Sequence, residues 1–74
     1  MKTFSIEEGK LICSLNAFAD AMKERLLQKM AEGYTGWDDP SWTEKSMIEK
    51  LNKNVSDGDM VDVANVAMFL WCRK

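Results

Sequence analysis

The chain has 74 residues, with 10 basic and 12 acidic side chains, two cysteines and no histidine. That inventory excludes His-based triads and His general bases, and it cannot supply a Cys/His zinc site within one chain. A net charge of −2 and a pI near 5.0 disfavour nucleic-acid binding, which calls for a basic stripe.

The length allows one domain, residues 1–74. Hydrophobic residues make up 46% of it, enough for a core, and three tryptophans against one proline favour a compact helical protein. No stretch reaches the ~20 apolar residues of a membrane span. The opening MKTFSIEEGK lacks the apolar core of a signal peptide. The expectation is therefore a cytoplasmic chain with no membrane partner. In that compartment Cys13 and Cys72 are expected to be reduced and buried, and a disulfide between them belongs to an oxidising one.

Ser5-Ile6-Glu7-Glu8 fits a capping box, a hydroxyl followed three residues on by a carboxylate. Leu11, Leu15, Phe18, Met22, Leu26 and Met30 then recur at steps of three and four, which marks one helical face. Gly33 supplies a stop, so a first helix is predicted from Ile6 to Glu32. Asp20, Lys23, Glu24 and Gln28 lie on its outer face. The next segment, GYTGWDDPSW, is rich in breakers yet carries Tyr34, Trp37 and Trp42. These aromatics either fold back as a lid or, with Asp38 and Asp39 as a polar rim, form a partner-binding patch.

Thr43 can cap a second helix, with Trp42 and Met47 at hydrophobic-staple positions. Met47, Ile48, Leu51 and Val55 form its apolar stripe, and it is predicted to end near Asn54 or Val55. Ser56 with Asp59 then reads as a second capping box, opening a third helix from Gly58 to Cys72. Met60, Val63, Ala64, Ala67 and Trp71 share one face of this helix, and Val61, Met68, Val66 and Leu70 widen it. Asp62, Asn65, Cys72 and Arg73 break the apolar ring. A helix apolar nearly all round is buried on several sides. Two other helices, one of them short, leave surface over, so a homodimer or a partner surface is expected. The fold expected is all-α: a long helix, an aromatic-rich loop, a short helix and an apolar C-terminal helix, with dimerisation into a larger bundle as an option. Helices two and three have the short turn of a helix-turn-helix, but helix three lacks the polar and basic residues that read bases.

Asp59 and Asp62, spaced i, i+3, are weak candidates for Mg²⁺ ligands, with Asn65 a further step along. The competing reading is a helix cap and an edge, with Asp62 paired to Arg73 or to a lysine of another helix. No other cofactor is suggested.

The stretch Asp59-Met60-Val61-Asp62-Val63-Ala64-Asn65-Val66-Ala67-Met68 resembles the D-V-A-N-F-A-M-M helix of small phage and prophage proteins. Some of those are similar to MazG-like all-α nucleotide pyrophosphohydrolases. Gly33-Tyr34-Thr35-Gly36-Trp37-Asp38-Asp39 is similar to a G-Y-x-G-W-D-D segment of uncharacterised phage proteins. The MazG-like resemblance implies an E-E-x-x-E cluster on one helix and an E-x-x-D pair on the next, together holding Mg²⁺ for attack on a nucleoside triphosphate. Asp59 and Asp62 occupy the second pair. The cluster is missing, because Met47 to Val55 offers only Glu49 among lysines. Two or three carboxylates are too few to hold a Mg²⁺ pair and position a water.

The function expected is therefore non-catalytic. It is a phage- or prophage-type accessory protein in the host cytoplasm that binds a protein partner and inhibits a host enzyme or an antiviral defence. Tyr34, Trp37, Asp38, Asp39 and Trp42 would be the contact residues. The alternative is a Mg²⁺-dependent nucleotide pyrophosphohydrolase or a nucleotide-binding relic of one.

Overall fold

The structure, a computed structural model, describes residues 5–73. It contains α1 (Ile6–Ala31), α2 (Glu44–Ser56) and α3 (Met60–Cys72), with no strand among the described residues. This is the all-α, three-helix domain that the periodicity predicts. None of these helices is long and apolar enough to cross a membrane.

The ends of the helices follow from local chemistry. The Ser5 hydroxyl accepts the Glu8 N–H at 3.1 Å, and the Thr43 hydroxyl accepts the Ser46 N–H at 3.2 Å. Each satisfies one of the orphan donors of a first turn. α1 stops where Gly33 takes φ +97°, letting the Gly33 N–H reach the Met30 carbonyl and the Tyr34 N–H the Lys29 carbonyl. That is a Schellman termination. α2 ends the same way: Gly58, at φ +75°, donates to Val55, and Asp59 donates to Asn54. This corrects the predicted start of α3. Ser56 is the last residue of α2 and is used up by that helix, so Asp59 is the N-cap, its carboxylate accepting the Asp62 N–H at 3.0 Å.

α3 is the central element. α2 folds back on it through the tight turn at Gly58, and α1 packs along it on another side, while α1 and α2 do not pack on each other. α1 runs antiparallel to α3. The Met22 carbonyl accepts from Asn65, and Arg25, one turn further on, lies beside Asp62 and Asp59. At 1.5 Å per residue α1 is about 39 Å long and α3 about 20 Å. The first third of α1, to about Ser14, therefore projects past the C-terminal end of α3, and every residue from Lys10 to Asp20 is exposed. Of the predicted α1 stripe, only Met22 and Leu26 are half-buried; Leu11, Leu15, Phe18 and Met30 stand in the open.

The predicted facing of α3 is corrected in part: Val63 and Ala64 are half-buried and Val66 buried as expected, but the centre of that face turns outward. Asp59, Asp62, Asn65, Val66, Phe69 and Arg73 fall on one side at 100° per residue, and this side meets α1 and the loop. Val66 and Asn65 are its buried members. Met60, Ala67 and Trp71, from the face expected inside, are exposed. The inward side is chosen by polar groups that find partners there, which an apolar count does not register. The fully formed core is correspondingly small: Met47 and Val66, with Asn54 and Asn65 buried among them. Cys13 and Cys72 are free, and both are exposed rather than buried, because one lies on the projecting part of α1 and the other at the open end of α3.

Candidate functional site: an arginine clamp and an aromatic loop

The i, i+3 spacing of Asp59 and Asp62 does bring two carboxylates together, but what they hold is Arg25 of α1. Its Nη1 donates to Asp59 Oδ2 at 2.8 Å and to Asp62 Oδ1 at 2.9 Å. Asp59 also caps α3, so one carboxylate fastens a turn to its own helix and to a neighbour. The hydrogen bond from Arg25, then the backbone N–H of Asp62, hold the Asp59 carboxyl below its ordinary pKa. The same hydrogen bond, then the charge of Asp62, raise that of Arg25. Asp62 pairs with Arg25, not with Arg73 or a lysine. Glu49 stays exposed on α2, and among the described residues no three His, Cys, Asp or Glu side chains come together in a way that could hold a metal. Asn65 turns its amide nitrogen to the Met22 carbonyl at 3.3 Å, and its buried Oδ1 has no partner.

Residues 33–42 form a fixed platform over the end of α3. The Trp37 ring stacks on Phe69 at 5.0 Å between centroids, and Trp42 meets the same ring edge-on at 6.2 Å. Such aromatic pairs contribute about 0.5–1.5 kcal/mol each beyond area burial. Arg73 sits beneath, donating to the backbone carbonyls of Trp37, Trp42 and, at 2.9 Å, Asp39, with its guanidinium over the Trp42 ring. The side chain of Asp39 accepts the Ser41 N–H at 2.8 Å, and that bond lowers its pKa. Trp42 and Asp39 are thus taken up by the loop itself. Tyr34 is 69% exposed and lies against the Lys29 ammonium at 5.0 Å; Trp37 stays 39% exposed, and Asp38 is exposed.

Beside this platform an apolar groove of about 370 Å³ opens between α2 and α3, lined by Ile48, Leu51, Ala67, Leu70 and Trp71, with Glu44 and Arg73 both at the end away from the Gly58 turn. Sequence reasoning missed Arg25 and weighed Arg73 only as a partner for Asp62. The available signal is composition: these are the only two arginines among ten basic residues. A planar, forked donor suits bridging of several acceptors better than an ammonium, and both arginines serve in that way. Neither a protein-family model nor a curated protein nor a solved structure matches the chain.

Proposed function

We propose that this chain is a non-catalytic binding protein of the phage or prophage accessory type, which inhibits a host enzyme or antiviral defence by docking on it. The observation that carries the reading is the pairing of a braced aromatic loop with an open apolar groove. Phe69 and Arg73 hold Trp37 in place from below, so little side-chain freedom is lost when Trp37 meets a partner. Tyr34, Trp37 and Asp38 offer the exposed contacts, and the Ile48–Trp71 groove beside them suits an apolar helix or segment. The phage-type origin rests on the two quoted segments alone.

The nucleotide-hydrolase alternative is disfavoured by the chemistry of the Asp59–Asp62 pair. A Mg²⁺ ion at Asp59 and Asp62 would have to displace Arg25 and break the α1–α3 clamp. The test is quantitative capture from host lysate with the wild-type chain and with Tyr34→Ala and Trp37→Ala variants. One protein should be retained by the wild type and reduced about tenfold or more by each substitution, as for aromatic anchors. Equal recovery with all three chains would refute the reading. Trp37→Ala and Trp42→Ala both remove packing against Phe69, so Tyr34→Ala is the decisive arm and lost capture by Trp37→Ala counts only if that variant melts as the wild type does.

A further inference from the structure

We propose that α1 is a detachable helix: it swings away from α3 about the Thr35–Gly36 link while α2, α3 and the aromatic loop stay packed, and the Arg25 clamp is its latch. α1 packs on α3 alone and makes no contact with α2. It has no buried residue; in its second half Ala21, Met22, Arg25, Leu26 and Lys29 are only half-buried. The buried side chains, Met47, Asn54, Asn65 and Val66, all belong to α2 and α3. Elements with few buried contacts are the ones that open below the free energy of global unfolding.

The loop is fastened to α3 without help from α1. Trp37 and Trp42 lie on Phe69, and Arg73 holds the carbonyls of Trp37, Asp39 and Trp42. Tyr34, by contrast, is tied to α1: its N–H reaches the Lys29 carbonyl, and its ring lies by the Lys29 ammonium. The boundary therefore falls on Thr35 and Gly36. Gly36 stands at φ +87°, a region that only glycine visits freely.

The joint between α1 and α3 is polar and incompletely satisfied. The Arg25 side chain is 32% exposed, so water and salt reach the clamp. Asn65 donates to the Met22 carbonyl, but its buried Oδ1 has no partner. A buried acceptor without a donor favours the state in which water reaches it. Opening hydrates that oxygen and frees Asp59 and Asp62 from Arg25. Asp59 goes on accepting the Asp62 N–H, so α3 keeps its cap when α1 leaves.

The inference does not depend on the loop being a docking surface, and the chain carries its own probes. Cys13 on α1 and Cys72 on α3 are free, exposed thiols that accept spin labels. The three tryptophans, Trp37, Trp42 and Trp71, all lie outside α1, so their fluorescence follows the other body alone. In a urea series on the full labelled chain, the Cys13–Cys72 distance distribution should spread to longer values before the tryptophan signal changes. Raising NaCl from about 0.02 M to about 1 M should enlarge the open population of the wild type, because the clamp is screened. Arg25→Met should enlarge it about fivefold or more, and Asp62→Asn, which leaves the Asp59 cap in place, should act in the same direction. Coincident changes of the two probes would overturn the proposal, since the three helices would then unfold as one unit. So would an open population that salt, Arg25→Met and Asp62→Asn all leave unchanged, which would take the latch away from Arg25.

Discussion

Arg25 joins two helices with one side chain, and its partners make the joint sensitive to acid. The Asp59 carboxyl is held below its ordinary pKa by the Arg25 hydrogen bond first and the Asp62 N–H second. A carboxyl depressed in the folded state contributes stability that is fully present above the ordinary aspartate pKa of about 4. That stability is lost as the pH falls below it, through the folded value. Asp39, lowered by the Ser41 N–H, adds to the same acid limb. Arg25→Met should lower the melting temperature at pH 7, leaving Asp59 and Asp62 as neighbouring like charges. The gap between variant and wild type should narrow as the pH drops below about 4. A thermal-melt series from pH 2 to pH 8 checks this, and a gap of constant size would show that the clamp does not titrate. The exposed Lys53–Asp57 pair, spaced i, i+4 at 2.9 Å, is a contrast: screened by water, it should matter little.

At the scale of elements, the α2–α3 turn has the strictest local requirement. Gly58 at φ +75° is what lets two carbonyls at the end of α2 be satisfied while Asp59 is released to cap α3. A Cβ there meets no neighbour, so the penalty is purely conformational. Gly58→Ala should cost about 1–2 kcal/mol in a denaturant melt, whereas Gly9→Ala, in the first turns of α1, should stabilise. The caps of α1 and α2, the stop at Gly33 and the three helices were legible in the sequence, because each depends on residues within four or five positions; the α2–α3 junction was misread, since Ser56 and Asp59 both look like caps there. The facing of α3 was not legible. Its apolar residues nearly encircle it, so hydrophobicity alone does not rank one side above another. The deciding groups are Arg25, Met22 and the loop, all more than 30 positions away.

For the whole molecule, the small core sets the margin. Domains of this length have roughly 4–11 kcal/mol of stability. Met47 is fully buried, and Met47→Ala should remove about 3 kcal/mol, enough to bring the midpoint of urea unfolding down by about a quarter or more. An unchanged midpoint would mean that the α2–α3 contact collapses around the shorter side chain. So small a core leaves surface uncovered along the start of α1 and in the groove beside the aromatic loop. The aromatic loop itself shows both readings of its sequence at once. Trp37 and Trp42 cover Phe69, as a lid would, while Tyr34, Asp38 and the exposed part of Trp37 remain available.

The sequence by itself determined the class of fold, the three helices, the caps of the first two and the absence of histidine chemistry, since these are matters of composition and short-range spacing. Only the tertiary structure decided that Asp59 and Asp62 hold an arginine, that Arg73 braces the aromatic loop, and that half of the longest helix has no cover. A side chain's partner depends on how helices of unequal length come to lie together. Here that is governed by a few polar contacts between residues far apart in the chain.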